Sequence, residues 1–179
     1  MRVFGIAGFK NAGKTTLVVE LVQEFVRRGL RVATIKHAHH AFDIDHPGKD
    51  SFQHRQAGAR QVIVASAKRW AQITELEDGQ EPSLFELLDR IENVDLVLVE
   101  GYKRENHPRL ELRRDGQEMP ELAGTDAGIC AIVADTGIAA APVPVILRSN
   151  LTAIADLVLE HARSPSELNQ AGLAGQRSG

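Results

Sequence analysis

Apolar residues along the chain follow two kinds of repeat, which together predict alternating strands and helices. A short apolar run at residues 3–7 is followed, from Lys14 onward, by apolar residues at every third or fourth position. That spacing places them on one face of a helix, which Gly29 is expected to end. A second strand is predicted at residues 32–35. The order strand, loop, helix, strand favours a parallel sheet.

Later apolar runs predict the other strands of this sheet. Residues 94–99 and 129–134 are nearly continuous apolar runs, which are typical of strands buried on both faces. A further short strand is predicted at 109–113. Prolines near the start of the run 143–147 favour an edge strand or an irregular entry.

Other segments predict a hairpin and three helices. Residues 61–67 and 70–76 are expected to pair as an antiparallel hairpin, peripheral to the sheet. Residues that can cap a helix precede three short stretches with helical character. These helices are predicted at 50–56, 83–91 and 151–161.

The loop between the first strand and the first helix has the sequence G-F-K-N-A-G-K-T, a full match to the phosphate-binding pattern G-x-x-x-x-G-K-[ST]. Its glycines let the backbone turn and approach a phosphate, and the N–H groups of loop and helix attract anions. Lys14 is expected to reach the β- and γ-phosphates, and the Thr15 hydroxyl to serve Mg²⁺. The predicted nucleotide-binding residues here are Gly8, Lys10, Asn11, Ala12, Gly13, Lys14, Thr15 and Thr16.

The motif and the order of elements together predict a three-layer α/β fold of the P-loop NTPase type. It has a mostly parallel central sheet and a peripheral hairpin. We expect one nucleotide-binding domain at residues 1–162. A flexible tail is expected at 163–179, because the residues there are mostly small or polar.

Charge and composition argue against several classes of partner. The formal net charge of −3 provides no basic field for nucleic acid or an anionic membrane. No apolar stretch reaches the roughly 18 residues of a membrane-spanning helix, and no signal peptide is expected before the first strand. The single cysteine, Cys130, excludes a disulfide within the chain and fits a reducing, cytoplasmic location.

An acidic residue ends one predicted strand close to the phosphate loop. Glu100 follows the run 94–99 and is expected at the carboxyl edge of the sheet, where it can serve Mg²⁺ directly or through water. The alternative is a solvated acid. Lys14, Thr15 and Glu100 are therefore the predicted catalytic residues, with Thr15 and Glu100 as metal ligands. Lys103 is explained equally well as an exposed lysine or as a contact to an anionic ligand.

A second acid, Asp135, ends the run 129–134. Guanine has adjacent N1–H and N2–H₂ donors that one carboxylate accepts together, whereas adenine lacks this pair. Asp135 in a base pocket would therefore favour guanine. The N-K-x-D guanine motif is absent, and Asp135 also suits a turn, so the choice of base stays open at this point.

Residues 36–55 are rich in histidine, with five within eighteen residues. Because the segment follows the strand at 32–35, it is expected to lie over the carboxyl edge of the sheet. Imidazoles and carboxylates suit a transition metal, whereas lysines and arginine suit a second phosphorylated ligand. Irregular histidine spacing gives a dedicated zinc site weak support, and a mobile polar loop is a further alternative. The candidate ligand-binding residues here are Lys36, His37 and Asp45.

These motifs together resemble the molybdopterin-guanine dinucleotide biosynthesis adapter proteins. The resemblance rests on the phosphate loop, on I-K-H-A-H-H-A-F-D-I-D-H-P-G-K-D-S-F, on V-E-G-Y-K and on I-V-A-D, and it covers residues 2–159. It implies GTP bound with Mg²⁺, weak GTPase activity at most, and a homodimer. It also implies assistance to the guanylyltransferase that joins GMP to molybdopterin. By motif position, Glu100 would serve the metal and Asp135 would lie near the base. Residues 37–55 would face the nucleotide or a molybdopterin-related ligand.

Three other functions fit parts of the sequence. A metallochaperone-type GTPase would use the histidines to carry nickel or a similar ion. A small-molecule kinase would need an arginine-rich lid, for which Arg113 and Arg114 are thin candidates. A binding module would hold nucleotide without chemistry. Because no obvious arginine finger or water-orienting glutamine is present, we expect any hydrolysis to be slow.

Overall fold

The elements of the computed structural model follow the alternation that the apolar pattern predicts. The structure describes residues 1–38, 42–77, 80–116 and 121–176. None of the helices in these ranges is long and apolar enough to cross a bilayer. In chain order the elements are β1 (Arg2–Ala7), α1 (Lys14–Arg27), β2 (Val32–Lys36), α2 (Asp50–Gln56), β3 (Gln61–Ala65), β4 (Trp70–Thr74), α3 (Leu84–Leu88), β5 (Leu96–Glu100), β6 (Arg109–Leu112), β7 (Ile129–Ala134), β8 (Val145–Leu147), α4 (Leu151–His161) and α5 (Pro165–Gln176).

Six strands form one parallel sheet in the order β2-β5-β1-β6-β7-β8. Within it, Ile6 of β1 pairs with Glu100 of β5 on one side and with Leu110 of β6 on the other. Because the strands are parallel, the segments that follow them leave the sheet at a shared edge. The predicted parallel sheet is confirmed, and the strand that follows Pro144 lies at its margin, as the prolines suggest.

Side chains alternate between the two faces of the sheet and give it a helix layer on each side. Phe4 and Leu98 pack on one face with α1 and α4. Val3 and Val97 pack on the other face with α3 and with Leu168 of α5. Since successive strand residues point to opposite faces, one strand serves both cores. The predicted three-layer α/β architecture is thereby confirmed.

The phosphate loop is fixed at its helical end by the apolar stripe of α1. Leu17, Leu21 and Phe25 recur every four residues and are fully buried. Burial of each such side chain stabilises the fold by roughly 2 kcal/mol. The helix that begins at Lys14 therefore has a fixed position against the sheet, and so does the backbone that precedes it.

β6 brings polar side chains into the interior of the sheet. Arg109 and Glu111 are only 3% and 1% exposed. The Glu111 carboxylate accepts hydrogen bonds from the backbone N–H groups of Leu122, at 3.1 Å, and Ala123, at 2.9 Å. Such bonds satisfy a buried carboxylate that would otherwise be costly. Glu111 therefore ties the segment before β7 to the centre of the sheet.

His107, two residues before β6, is buried and neutral. Its side chain is 1% exposed, and neither ring nitrogen has a hydrogen-bond partner in the described part of the chain. Burial, with a smaller contribution from the Arg109 guanidinium, lowers the pKa of His107 to about 3. A Cβ on Gly5 would lie 2.5 Å from its Nε2, so the glycine leaves room for the ring.

This buried imidazole predicts a specific loss of stability in acid. Between pH 6.5 and 3 the unfolded chain binds a proton at His107 and the folded chain does not, so the free energy of unfolding falls as the pH falls. From pH 7 to pH 5 the contribution is about 2 kcal/mol. Urea unfolding of wild type and His107→Leu at pH 5, 6 and 7 measures it as a difference between two pH profiles. If the free energy of unfolding depended on pH in the same way in both proteins, His107 would not be the buried neutral group.

Contacts divide the chain into two compact units, one of residues 1–37 with 84–179 and one of residues 38–83. The expected single domain, 1–162, spans both. The smaller unit contains α2 and the two-stranded sheet of β3 and β4. Those strands are antiparallel, as predicted, with Val62 opposite Ile73.

Helix boundaries differ from the predictions at two places. α3 ends at Leu88, three residues before the predicted end. α5 lies within the segment expected to be a flexible tail, and its Leu168 is buried. The backbone of Arg163 just before it exchanges hydrogen bonds with Val3 of β1. α4 begins where predicted, and the Asn150 side chain caps it by accepting from the N–H of Ala153 at 3.1 Å.

Candidate functional site

The loop between β1 and α1 has the backbone shape that its glycines allow. Gly8, Asn11 and Gly13 have φ values of 143°, 66° and 93°, in the left-handed region that residues with a Cβ rarely adopt. At Gly8 an added Cβ would lie 2.6 Å from the backbone oxygen of Leu112. Glycine is therefore required at the start of the loop by both conformation and space.

The start of α1 presents free N–H groups to the loop. Gly13 occupies the N-cap position and has no side chain with which to cap the helix, and the first turn contains no acidic residue. The first N–H groups of a helix have no acceptor within the helix, and the helix dipole is positive there. Together with the backbone turns at Gly8 and Asn11, this arrangement fits a phosphate group.

Lys14 lies folded over the loop that precedes it. Its Nζ donates hydrogen bonds to the backbone oxygens of Gly8, at 3.0 Å, and Phe9, at 2.9 Å. Burial lowers the pKa of Lys14, Glu100 opposes this change, and Lys103 and Lys36 add to the lowering. An anion bound at the loop would counter the partial burial of this ammonium.

Glu100 lies at the carboxyl end of β5, between the two strands that flank it. It pairs in register with Ile6 of β1 and with Lys36 of β2. The charges of Glu100, Lys36 and Lys103 all act on Lys14, so the structure brings together these four sequence-predicted groups. The donor set of one carboxylate and the Thr15 hydroxyl suits Mg²⁺, which prefers oxygen ligands and retains several waters.

The residues that follow Glu100 and Lys36 pack closely on each other. The N–H of His37 donates to the backbone oxygen of Glu100 at 2.8 Å, and the His37 and Tyr102 ring centroids are 4.9 Å apart. Gly101, at φ 105°, has no room for a side chain, since a Cβ there would collide with the His37 Cβ. His37 therefore helps to fix the edge of the sheet at which Glu100 ends.

The other predicted residues of the loop differ in exposure. Ala12 is buried, and its N–H donates to the Phe9 oxygen at 3.3 Å. Lys10, Asn11, Thr15 and Thr16 are exposed. The threonine hydroxyls at the start of α1 are thus accessible to a ligand or metal from solvent.

Asp135 directly follows β7, at the same edge of the sheet. Its Oδ2 accepts a hydrogen bond from the N–H of Asp115 at 3.2 Å. The Asp115 carboxylate in turn accepts from the Thr136 hydroxyl at 3.0 Å. These bonds hold an exposed carboxylate in place on the side of β1 opposite β5.

The predicted ligand residue Asp45 is engaged within the smaller unit. Its Oδ1 accepts from the Ser51 hydroxyl at 3.0 Å and from the His46 N–H at 3.1 Å. The neighbouring Asp43 binds both terminal nitrogens of Arg55, at 2.7 and 3.0 Å, which holds the pKa of Asp43 near 2. These contacts hold Asp45 within its own segment, and its role in binding a ligand stays a prediction.

The histidine-rich segment is only partly described. His39 and His40 lie outside the described residues. Among the residues that are described, no three histidine, cysteine, aspartate or glutamate side chains form a group that suits a metal ion.

Sequence reasoning missed Arg109, a residue that shapes the site from inside the sheet. Its Nη1 donates to the backbone oxygen of Lys103 at 3.0 Å, and its Nη2 donates to that of Glu105 at 2.6 Å. The only sequence signal was the alternation of charged and apolar residues in R-L-E-L, which predicts a half-exposed strand rather than a buried arginine.

Comparison with known proteins agrees with this geometry. Residues 3–135 match the family model described as molybdopterin guanine dinucleotide synthesis protein B. The chain belongs to this family. The molybdopterin-guanine dinucleotide biosynthesis adapter protein of Escherichia coli (strain K12) is 43% identical over 136 residues, which cover 74% of this chain and 78% of that protein.

Solved structures of family members share the fold. The crystal structure of a molybdopterin-guanine biosynthesis protein B covers 88% of this chain and 97% of its own, with a TM-score of 0.69 and 26% identity. Bacillus subtilis MobB covers 92% of this chain and 99% of its own, with a TM-score of 0.71 and 21% identity. Both the predicted family and the predicted P-loop NTPase-like fold are therefore confirmed.

Proposed function

We propose that this protein is a GTP-binding adapter in the biosynthesis of molybdopterin-guanine dinucleotide. The observation that carries the proposal is the loop before α1, which combines left-handed turns, a helix N-terminus without a side-chain cap and the Lys14 ammonium folded over the loop. Membership of the synthesis protein B family supplies the pathway. The proposal assigns the triphosphate of the nucleotide to this loop.

Each part of the loop has a distinct role in holding the triphosphate. The backbone N–H groups of the loop and of the first turn of α1 donate to phosphate oxygens. Lys14 exchanges the peptide oxygens of Gly8 and Phe9 for the β- and γ-phosphate oxygens. Lys10, Asn11 and Thr16 are placed at the rim of the same loop and complete the polar surroundings of the phosphates.

Thr15 and Glu100 are the residues that would hold Mg²⁺. When bound there, Mg²⁺ would supply the positive charge that neutralises phosphate oxygens. Glu100 also attracts the Lys14 ammonium and thereby limits its positional freedom. With neither an arginine finger nor a water-orienting glutamine recognised in the sequence, we propose a slow GTPase in which binding matters more than turnover.

Asp135 is proposed to select guanine. Its Oδ2 is already oriented by the Asp115 N–H, and the carboxylate is exposed at the edge where the sheet strands end. A carboxylate held there can accept from N1–H and N2–H₂ of guanine together. Adenine offers no such pair of donors, so GTP is favoured over ATP.

The residues Lys36 and His37 are proposed to face either the nucleotide or a molybdopterin-related ligand. Lys36 is exposed next to Glu100, and its charge acts on Lys14. A phosphorylated pterin and a triphosphate are both anionic, so one group of lysines serves both. The adapter would then present GTP or GMP to the guanylyltransferase that acts on molybdopterin.

A homodimer is proposed, with the hairpin of β3 and β4 as the contact to a second copy. In the described part of the chain this sheet has two strands only, so each strand has an unpaired edge. Ile63 and Trp70 are 64% and 68% exposed on it, and Phe42 of the same unit is 74% exposed. Open edges and exposed apolar side chains favour pairing with another chain.

Sedimentation equilibrium is expected to show a dimer of the wild type, and Trp70→Lys is expected to weaken this dimer. A monomeric wild type would contradict the proposal.

The function is tested by binding and by an assay of the pathway. Calorimetry is expected to show Mg²⁺-dependent binding of GTP that is about tenfold tighter than binding of ATP, and Asp135→Asn is expected to reduce that preference. Adding the protein to a guanylyltransferase with molybdopterin is expected to increase formation of the dinucleotide. Lys14→Ala is the matched variant that leaves the partner surface intact but removes nucleotide binding. Equal affinity for both nucleotides and no effect on product formation would contradict the proposal.

A further inference from the structure

The loop after Glu100 has a backbone shape that needs outside support. Gly101 and Tyr102 have φ values of 105° and 51°. A left-handed conformation costs a residue with a Cβ roughly 1 kcal/mol or more, and such residues persist where their surroundings fix them. In the described residues the loop has one internal backbone hydrogen bond, from the N–H of Glu105 to the oxygen of Tyr102 at 3.1 Å.

Arg109 supplies the support from within the sheet. Its guanidinium donates to the backbone oxygens of Tyr102 at 3.5 Å, Lys103 at 3.0 Å and Glu105 at 2.6 Å. The side chain is 4% exposed, and its Nε lies 3.4 Å from the Asp126 carboxylate. Two terminal nitrogens of the planar guanidinium fork reach these carbonyl oxygens from fixed directions, a geometry that the single ammonium group of lysine does not reproduce.

Gly128 leaves little space around the Arg109 guanidinium. A Cβ on Gly128 would lie 2.7 Å from Nη2 and 2.8 Å from Nε. The N–H of Gly128 donates to the Asp126 carboxylate at 2.9 Å, which keeps that acid beside the guanidinium. The arginine therefore has one position, and the loop that it holds has one shape.

The loop held in this way carries Lys103 to the phosphate loop. The Lys103 Nζ lies 5.6 Å from the centroid of the Phe9 ring, inside the G-F-K-N-A-G-K-T motif. Lys103 is exposed, so its charge is available to a ligand. The Phe9 ring attracts the Lys103 ammonium but carries no net charge, so the ammonium is held near the anion site and keeps its positive charge.

We propose that Lys103 is a further phosphate-binding lysine of the site, and that Arg109 is the positioning residue that holds it beside the loop. The proposal rests on the proposed function, since it assigns Lys103 to the triphosphate. Arg109 makes no contact with the ligand. It acts by fixing three peptide groups whose arrangement directs the lysine.

A double-mutant cycle tests this role. The affinity for Mg·GTP is measured by calorimetry for wild type, Lys103→Gln, Arg109→Lys and the double variant. We expect Lys103→Gln and Arg109→Lys each to weaken binding about tenfold, and Arg109→Lys to change affinity less than about twofold when Lys103 is already glutamine. Arg104→Gln, at the exposed neighbouring position, is the matched control and is expected to leave affinity unchanged.

A purely structural role for Arg109 gives a different pattern. Arg109→Lys would then weaken binding by the same factor in both backgrounds, and this result overturns the proposal. An unaltered affinity in Lys103→Gln overturns it as well. If Arg109→Lys does not fold, Asp126→Asn, which removes the acid beside the guanidinium, takes its place in the same cycle.

The same measurements separate this inference from the proposed function. Suppose that wild type binds Mg·GTP and Lys14→Ala does not, but the effects of Lys103→Gln and Arg109→Lys on affinity are independent. Only the positioning role of Arg109 then fails. If wild type binds neither GTP nor ATP, the proposed function fails and the role of Lys103 with it.

Discussion

Lys14→Ala is expected to raise the dissociation constant for Mg·GTP at least about 100-fold. A hydrogen bond to a charged group contributes about 1.5–3 kcal/mol, and Lys14 is expected to bond two phosphate groups at once. The change also removes the charge that Glu100 and the helix N-terminus surround. The remaining backbone donors would hold a triphosphate weakly.

Calorimetry with GTP, together with the thermal unfolding of the nucleotide-free protein, measures this effect. The midpoint of unfolding is expected to shift by no more than about 4 °C, because Lys14 bonds only two loop oxygens in the free protein. Arg27→Ala, at the far end of the same helix, is the control, since its side chain is 71% exposed. If Lys14→Ala binds GTP within about threefold of the wild-type affinity, Lys14 is not part of the binding site.

Gly8→Ala is expected to destabilise the protein by about 3 kcal/mol or more and to abolish nucleotide binding. The new Cβ would lie 2.6 Å from the Leu112 carbonyl oxygen, which belongs to β6 and cannot move without disturbing the sheet. The φ of 143° adds backbone strain at the same residue. The loop would have to move away from the strand that sets its position.

Gly29→Ala is the matched control for this change. Gly29 has a φ of 82°, but an added Cβ there meets nothing within 4 Å. It therefore carries the conformational cost alone, about 1 kcal/mol, and leaves the site unaltered. Urea unfolding of Gly8→Ala and Gly29→Ala separates the cost of backbone strain from the cost of the contact with Leu112. Equal losses of stability in the two would show that the contact with Leu112 does not matter.

The elements that were predicted well are those whose side chains follow a strong repeat. Leu17, Leu21 and Phe25 lie every four residues, and the helix they predict is present. The run before Glu100 is almost continuous, and it forms a strand buried on both faces. The phosphate loop was found because glycine and lysine occur in fixed positions, which is a chemical rather than a statistical signal.

The parts that were missed depend on contacts with segments outside the strand or helix concerned, which a local repeat does not reveal. Arg109 and Glu111 look like surface residues because charged side chains are seldom buried, yet each makes hydrogen bonds to backbone groups of a separate loop. α5 was expected to be part of a loose tail because its small and polar residues show no clear apolar stripe, although Leu168 anchors it.

The two hydrogen bonds from Lys14 to its own loop have a thermodynamic consequence for loading. An unrestrained lysine loses about 2 kcal/mol of rotamer entropy when it is immobilised, and here much of that loss precedes the arrival of any ligand. When nucleotide binds, Lys14 exchanges its peptide acceptors for charged phosphate oxygens. The number of its hydrogen bonds therefore hardly changes. The net gain is coulombic, and raising the ionic strength is accordingly expected to weaken nucleotide binding more than it alters the fold.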